Sequence, residues 1–189
     1  MKNLKSIAIA FVVALSALTA TAQTKKIDVK ASAINWVGKK VTGQHSGVIS
    51  FKEGSLTFAK GKLTGGTFTV DMNSINVTDL KAGEGKEKLE GHLKADDFFG
   101  TDKYATATLV FTSVKEKSKN VYTVTADLTI KGKTNPVTFE LTTGQKAAST
   151  AFNVDRTKYD IKYGSKSFFE GIGDKAIYDE FELSVKLVY

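Results

Sequence analysis

The chain has no cysteine and a single proline, Pro136, among its 189 residues. Its one arginine is Arg156, and it has two histidines, His45 and His92. Without cysteine there is no disulfide framework, no thiol nucleophile and no lipid-bearing cysteine behind a leader, so the fold must rest on an apolar core. With one proline, no Ser/Gly/Pro-rich stretch and no repeat, nothing marks a domain boundary. A lone arginine argues against nucleic-acid recognition, which favours the bidentate guanidinium fork. The lysines, among them Lys39, Lys60, Lys103, Lys117 and Lys133, are scattered as on a solvated surface, with a weak attraction to anionic membrane surfaces.

The N-terminus carries Lys2 and Lys5, an apolar run from Ile7 to Ala20, and the small-residue sequence Ala20-Thr21-Ala22. That is the pattern of a cleaved secretory signal over residues 1–22, which leaves 23–189 as one domain and implies a periplasmic or secreted location. The leader's run is too short to span a bilayer, and no later run approaches the ~18 to 20 residues that spanning needs. Losing Lys2 and Lys5 lowers the formal charge of +7 to +5.

Beyond the leader, apolar and polar residues alternate with a period of two, and turn signals recur every 8 to 12 residues, the spacing of a sandwich or barrel. The alternation predicts strands over Ser32 to Val41, Ser46 to Phe51, Ser55 to Phe58, Gly66 to Ile75 and Ala105 to Lys115. It continues over Val121 to Ile130, Pro136 to Thr143, Ala151 to Ile161 and Tyr178 to Val188. Phe68, Val70 and Met72 share one face of their strand, as do Phe181, Leu183, Val185 and Leu187 of theirs. One-sided strands in a single domain bury that face by closing into a barrel or by stacking two sheets. The expected class is all-β, with one short inserted helix over Lys86 to Phe98, where Leu89 and Leu93 stand at i and i+4.

Three catalytic or nucleotide motifs fail on spacing. Gly132-Lys133-Thr134 has Asp127 where a phosphate loop needs glycine, and reads as a hairpin turn. Gly171-Ile172-Gly173 has one strand after it, with no room for a βαβ unit, and Gly83 and Gly85 are followed by Lys88. No Gly-x-Ser-x-Gly elbow exists. His92 and Asp96 at i and i+4 could put two metal ligands on one helical face with His45 as a third, but zinc takes three or four. His45 otherwise reads as a polar residue of the turn Gly43-Gln44-His45-Ser46-Gly47, and His92 as a half-buried rim residue. Arg156 shares a face with Phe152 and Val154; turned inward, it needs a carboxylate or an anionic ligand group.

The ordered set Ser32-x-Ile34-x-Trp36, Gly66-x-Phe68-x-Val70-Asp71-Met72, His92-Leu93-x-x-x-Asp97-Phe98-Phe99, Leu128-Thr129-Ile130-Lys131-Gly132 and Asp155-Arg156 resembles the YceI-like family over nearly the whole mature chain. The resemblance implies a single antiparallel lipocalin-like β-barrel of about eight strands holding a polyisoprenoid, quinone or fatty-acid derivative, with no catalysis and no cofactor. By face, Trp36, Phe68, Val70, Met72, Leu109, Phe111, Leu128, Phe139 and Leu141 are candidate cavity residues, with Leu93, Phe98 and Phe99 closing one end. His45, His92 and Arg156 are candidate head-group contacts. The alternatives are a barrel enzyme or metal- or haem-linked redox protein using His45 and His92, and a filled core whose surface works, for instance in a homodimer.

Overall fold

The computed structural model describes residues 22–189; the expected leader, apart from its last residue, lies outside the described residues. Nine strands and one α-helix are present: β1 (Gln23–Lys26), β2 (Ala33–Lys40), β3 (Gly43–Ala59), β4 (Lys62–Val77), α1 (Lys86–Lys94), β5 (Thr106–Ser118), β6 (Val121–Ile130), β7 (Lys133–Thr143), β8 (Ala147–Asp155) and β9 (Ile177–Val188). All pairings are antiparallel. The order β3-β2-β9-β8-β7-β6-β5-β4, with β4 returning to β3, closes eight strands into a barrel. Closure removes the exposed edges that an open sheet would present. The short polar β1 lies outside that circuit, pairing with Ser55 to Phe58 of β3.

The alternation is realised with three differences. The stretches expected as separate strands around Gly54 form one strand, β3, and register shifts at Val48/Ser50 and Phe51/Glu53 absorb the irregularity as bulges. The expected glycine-rich turn at 43–47 is therefore the start of β3, leaving a turn of two residues, 41–42. The strand expected to run to Ile161 stops at Asp155, whose carboxylate accepts the Thr157 N–H and starts a 3-10 turn, Arg156–Tyr159. Gly132-Lys133-Thr134 does lie at a hairpin, where Lys131 and Gly132 both take positive φ as a type I′ turn requires.

The inner face forms one continuous core with two ends of different character. At the end with the β3–β4 and β5–β6 turns, Leu56, Val124 and Leu141 are fully buried and Leu63 and Tyr122 nearly so. This packing closes the barrel there. Above it Phe51, Phe68, Phe111, Phe139 and Phe152 form a chain of ring contacts with centroid separations of 5.9, 5.8, 6.0 and 4.6 Å. Such offset and tilted aromatic pairs add to the burial term.

The eight seams are not equal. β8 registers with β9 along its whole length, and β7 with β6 likewise. Between β7 and β8 only Thr142 and Thr143 register, with Ser149 and Ala148. Beyond them the strands diverge, and the gap is spanned by the stacked Phe139 and Phe152 and by the Asn135 side-chain amide donating to the Lys158 carbonyl at 3.0 Å.

Candidate functional site

Two cavities lie on the barrel axis. The first, about 150 Å³, sits at the α1 end. β2 contributes Ile34, Trp36 and Gly38 to its wall, β4 contributes Val70, Met72 and Ile75, and Leu93, Phe98 and Phe99 cover it. The second, about 90 Å³, lies deeper, among Phe68, Leu109, Phe111, Phe139, Leu141 and Phe152. Ile34, Val70, Ala107, Leu128 and Leu183 line both, so the two are neighbours that share a wall of apolar side chains. An apolar cavity near 150 Å³ stays dry and accepts a benzene-sized group. Two in line suit an elongated chain. Exposed Tyr178 and Glu180 also border the first cavity, beside Gly38, and mark where it reaches the surface.

Two glycines shape this wall in opposite ways. At Gly47 an added Cβ would stand 2.1 Å from the Asn76 carbonyl oxygen and 2.4 Å from the Trp36 ring. The absent side chain is what lets the Trp36 indole lie against β3, where its Nε1–H donates to the Val48 carbonyl at 3.3 Å. At Gly38 an added Cβ would meet nothing within 4 Å. There the absent side chain is part of the opening.

The cover is less a helix than the turn behind it. α1 ends at Lys94, short of the expected Phe98, and buries none of its residues. It starts at Gly85 without a side-chain cap and is tied down by Glu90, whose Oε1 accepts the Val77 N–H at 2.8 Å. The following turn puts Phe98 and Phe99 over the cavity. Phe98 is buried, 5.3 Å from Phe99, which in turn stands 6.3 Å from Phe181.

The twelve apolar residues singled out by face all border one cavity or the other. Sequence reasoning missed Ile34, Ile49, Ala107 and Phe152, although each continues the same period-two inner face. It also missed Gly38 and Thr150, which carry no apolar signal. Thr150 borders the deeper cavity, and its buried hydroxyl has no hydrogen-bond partner.

The polar candidates are placed differently. Arg156 borders the first cavity but is buried, and three of its five N–H donors go to backbone carbonyls: Nε donates to the Tyr178 carbonyl at 3.1 Å, Nη1 to Ile161 at 2.8 Å and Nη2 to Ile177 at 3.1 Å. Its Nη2 also stands 3.7 Å from Asp179. Burial pulls its pKa down while Asp179 and Asp155 pull it back up. Arg156 thus staples the 3-10 turn to β9, and backbone carbonyls supply most of the pairing that a carboxylate or ligand was expected to supply. Burial would raise the Asp179 carboxyl, but the Ser165 and Ser167 hydroxyls and Arg156 together hold it below its usual range.

His45 stands outside the cavity lining, its Nδ1 2.8 Å from Asp79 Oδ2. Burial would push the Asp79 carboxyl up, yet the Ser46 amide and His45 outweigh it and hold it low. His92 is half-buried at the rim, ring to ring with Tyr163 at 4.5 Å and Phe98 at 5.5 Å, its Nε2 3.5 Å from Asp97. Asp96, the expected i+4 partner of His92, pairs instead with Lys103. The helix has ended before residue 96, so the two side chains no longer share a helical face. Among the described residues no group of three His, Asp or Glu could hold a metal ion.

An eight-stranded antiparallel barrel with an apolar interior that reaches the surface near one end is a lipocalin-like architecture of the binding type. The family model of the YceI-like domain matches residues 25–189, and the chain belongs to that family. It is 34% identical over 130 residues to a UPF0312 protein of Photorhabdus laumondii, covering 65% of this chain and 62% of that protein. A UPF0312 protein of Shewanella denitrificans is 34% identical over 88 residues, 47% of this chain and 44% of its own length. The chain spans less than two thirds of these relatives. The crystal structure of Burkholderia cenocepacia BcnA matches with a TM-score of 0.69 at 22% identity, over 86% of this chain and 99% of that one. A polyisoprenoid binding domain from Saccharophagus degradans matches at 0.57 and 17%, over 86% and 95%. At these identities the likeness defines the fold.

Proposed function

We propose that the protein binds a long-chain apolar ligand, a polyisoprenoid, quinone or fatty-acid derivative, inside the barrel, and carries or sequesters it without chemical change in the periplasm or outside the cell. The observation that carries this reading is the pair of adjacent apolar cavities, whose bordering arginine gives three of its N–H groups to backbone carbonyls. Burial against such walls is non-directional, about 25 cal/mol per Å² removed from water, so affinity follows chain length more than head group. The S. degradans neighbour, described as a polyisoprenoid binding domain, supports the same ligand class. The leader at residues 1–22 supports export. His92 and Tyr163 at the rim are the groups nearest to a head-group contact. In this reading the cover formed by α1 and the Phe98-Phe99 turn opens for uptake; α1 is nine residues long, has no side-chain N-cap and contains no buried residue.

Native mass spectrometry of protein purified from its own host tests this. The expected result is a co-purifying lipid of several hundred daltons; protein that is empty and fails to take up added farnesol would overturn it. His45→Ala and His92→Ala are expected to change affinity by no more than ~1 to 2 kcal/mol, the range of one hydrogen bond.

A further inference from the structure

The two ends of the barrel differ on their outer surfaces as well as inside. Of the eight large apolar side chains that stand exposed among the described residues, six, Val41, Tyr104, Tyr163, Phe168, Phe169 and Tyr178, belong to the loops and strand ends on the α1 side, while Val29 lies in the β1–β2 loop at the opposite end and Val110 within β5. Phe168 and Phe169 are about half exposed, at 48% and 49%. The opposite end has lysines in their place, with Lys60 in the β3–β4 turn, Lys119 in the β5–β6 turn and Lys146 in the β7–β8 turn.

Phe168 and Phe169 are held out by a pinned loop. Ser165, fully buried, accepts both of their backbone N–H groups on its carbonyl, at 3.2 and 3.0 Å. The Ser167 hydroxyl donates to Asp179, which faces the Arg156 staple. The loop thus presents two adjacent phenylalanines to solvent. The rim also meets the cavity: Tyr178 borders the opening, and Tyr163 meets His92 edge to face, with His92 in turn edge-on to the buried Phe98. Beside the aromatic rings stand lysines, Lys162 with its ammonium 4.9 Å from the Phe168 ring, and Lys166 two residues before Phe168.

We infer that this aromatic rim docks the barrel, opening first, onto a lipid bilayer. Phe and Tyr rings that project around an opening, with lysine ammonium groups beside them, have the composition that settles at the boundary between acyl chains and head groups. Exposed apolar patches of this kind on a folded domain mark interaction sites. A bilayer fits better than a flat protein partner because the exposed aromatic side chains come from several separate loops at the end where the cavity reaches the surface, and a fluid surface fills an irregular rim. An acyl or prenyl chain then passes between membrane and barrel without crossing water. The docking does not depend on which cargo the barrel holds; the transfer step rests on the apolar-ligand reading.

The test is co-sedimentation of the mature chain, residues 23–189, with sucrose-loaded phosphatidylcholine vesicles, with and without phosphatidylglycerol, at low salt and at about 0.5 M salt, where surface charge is screened. The wild type is expected to bind both vesicles and to change by less than about threefold with salt, because ring insertion and not charge holds it. Phe168→Ser with Phe169→Ser is expected to weaken binding at least about tenfold, with the same thermal midpoint and the same farnesol uptake from solution. Lys60→Glu with Lys119→Glu at the far end is expected to leave binding within about twofold. Absence of sedimentation by the wild type overturns the inference. So does binding that salt abolishes, or that the lysine variant abolishes while the phenylalanine variant retains it; the latter result would place contact at the end that bears Lys60 and Lys119. Phenylalanine-dependent dimers in solution without vesicle binding would show the rim to be a contact between copies of the chain. Failure of the cargo reading is separate, since it shows as lost farnesol uptake with vesicle binding intact.

Discussion

Replacing Gly38 by valine fills the opening without a clash. An added Cβ at this position meets nothing within 4 Å, and Gly38 is absent from the residues with positive φ, so its backbone is one that an L-residue adopts. Two gains follow for the empty protein. The unfolded chain loses freedom, worth about 0.4 to 1 kcal/mol. The isopropyl group also gains burial at the edge of the cavity, on the order of 1 kcal/mol for a site only partly closed from solvent. The sum, about 1.5 to 2 kcal/mol, raises the thermal midpoint by roughly 3 to 7 °C for a domain of this size. Ligand binding moves the other way. The new methyl groups occupy space in a cavity of about 150 Å³. A bound chain that yields two or three methylenes loses about 2 kcal/mol, close to thirtyfold in affinity. Trp36 is the only tryptophan and borders the same cavity, so its emission reports a farnesol titration while a melt reports stability. A variant that is more stable yet binds farnesol like the wild type would show that the ligand does not use this cavity. A destabilised variant would show that the space beside Gly38 does not exist.

Four further outcomes follow from the same geometry. Gly47→Ala drives a methyl into the Asn76 carbonyl and the Trp36 ring; it should cost at least about 2 kcal/mol in urea unfolding and shift Trp36 emission, and a silent substitution would refute the close packing. Arg156→Met leaves the Tyr178, Ile161 and Ile177 carbonyls unpaired and should cost about 3 kcal/mol, with Arg156→Lys recovering less than half because an ammonium cannot reach three acceptors in one plane; full recovery by lysine would refute the staple. Asp79 and Asp179 have folded pKa values below their unfolded ones, so the stability they contribute is complete above the unfolded carboxylate pKa and disappears as pH falls through the lower folded values. Urea midpoints should drop between neutral pH and about pH 3, and less so in Asp79→Asn and Asp179→Asn; equal drops in all three proteins would assign the loss to other groups. The amides of β7 and β8 outside the paired residues 142–143 and 148–149 have no partners across their shared seam, so those facing it should exchange faster than those of β6 and β9, and uniform protection would show the seam to be closed.

Much of the barrel was legible in the sequence because a strand's side-chain period is two, a local property. The run Tyr122, Val124, Ala126, Leu128, Ile130 assigns its own inner face whatever its neighbours do. The expected bounds of β6, and nearly those of β2 and β9, match the strands for that reason. β3 was less legible: Gly54 reads as a break, and only pairing with β4 through two bulges carries the strand across it. β1 was invisible, since Gln23 to Lys26 has no apolar alternation and becomes a strand by adding to an edge of β3.

The apolar cavity candidates came from the same periodicity, and it selected the right face. A free inner volume is a different quantity. It depends on what is missing where strands distant in sequence converge, as at Gly38, where β2 meets β3 and β9. The charged candidates show the same limit, because the partners of Arg156 are carbonyl oxygens that every residue carries and that only chain path brings to it.

By itself, then, the sequence determined strand class, inner faces and the family, all of which follow from local alternation and from ordered motifs. Tertiary structure alone decided that the inner faces leave two adjacent cavities, that Arg156 bonds backbone carbonyls, that the β7–β8 seam is slack and that most exposed aromatics gather at the α1 end. Each of these depends on distances between residues far apart in the chain, and a period of two contains no such distances.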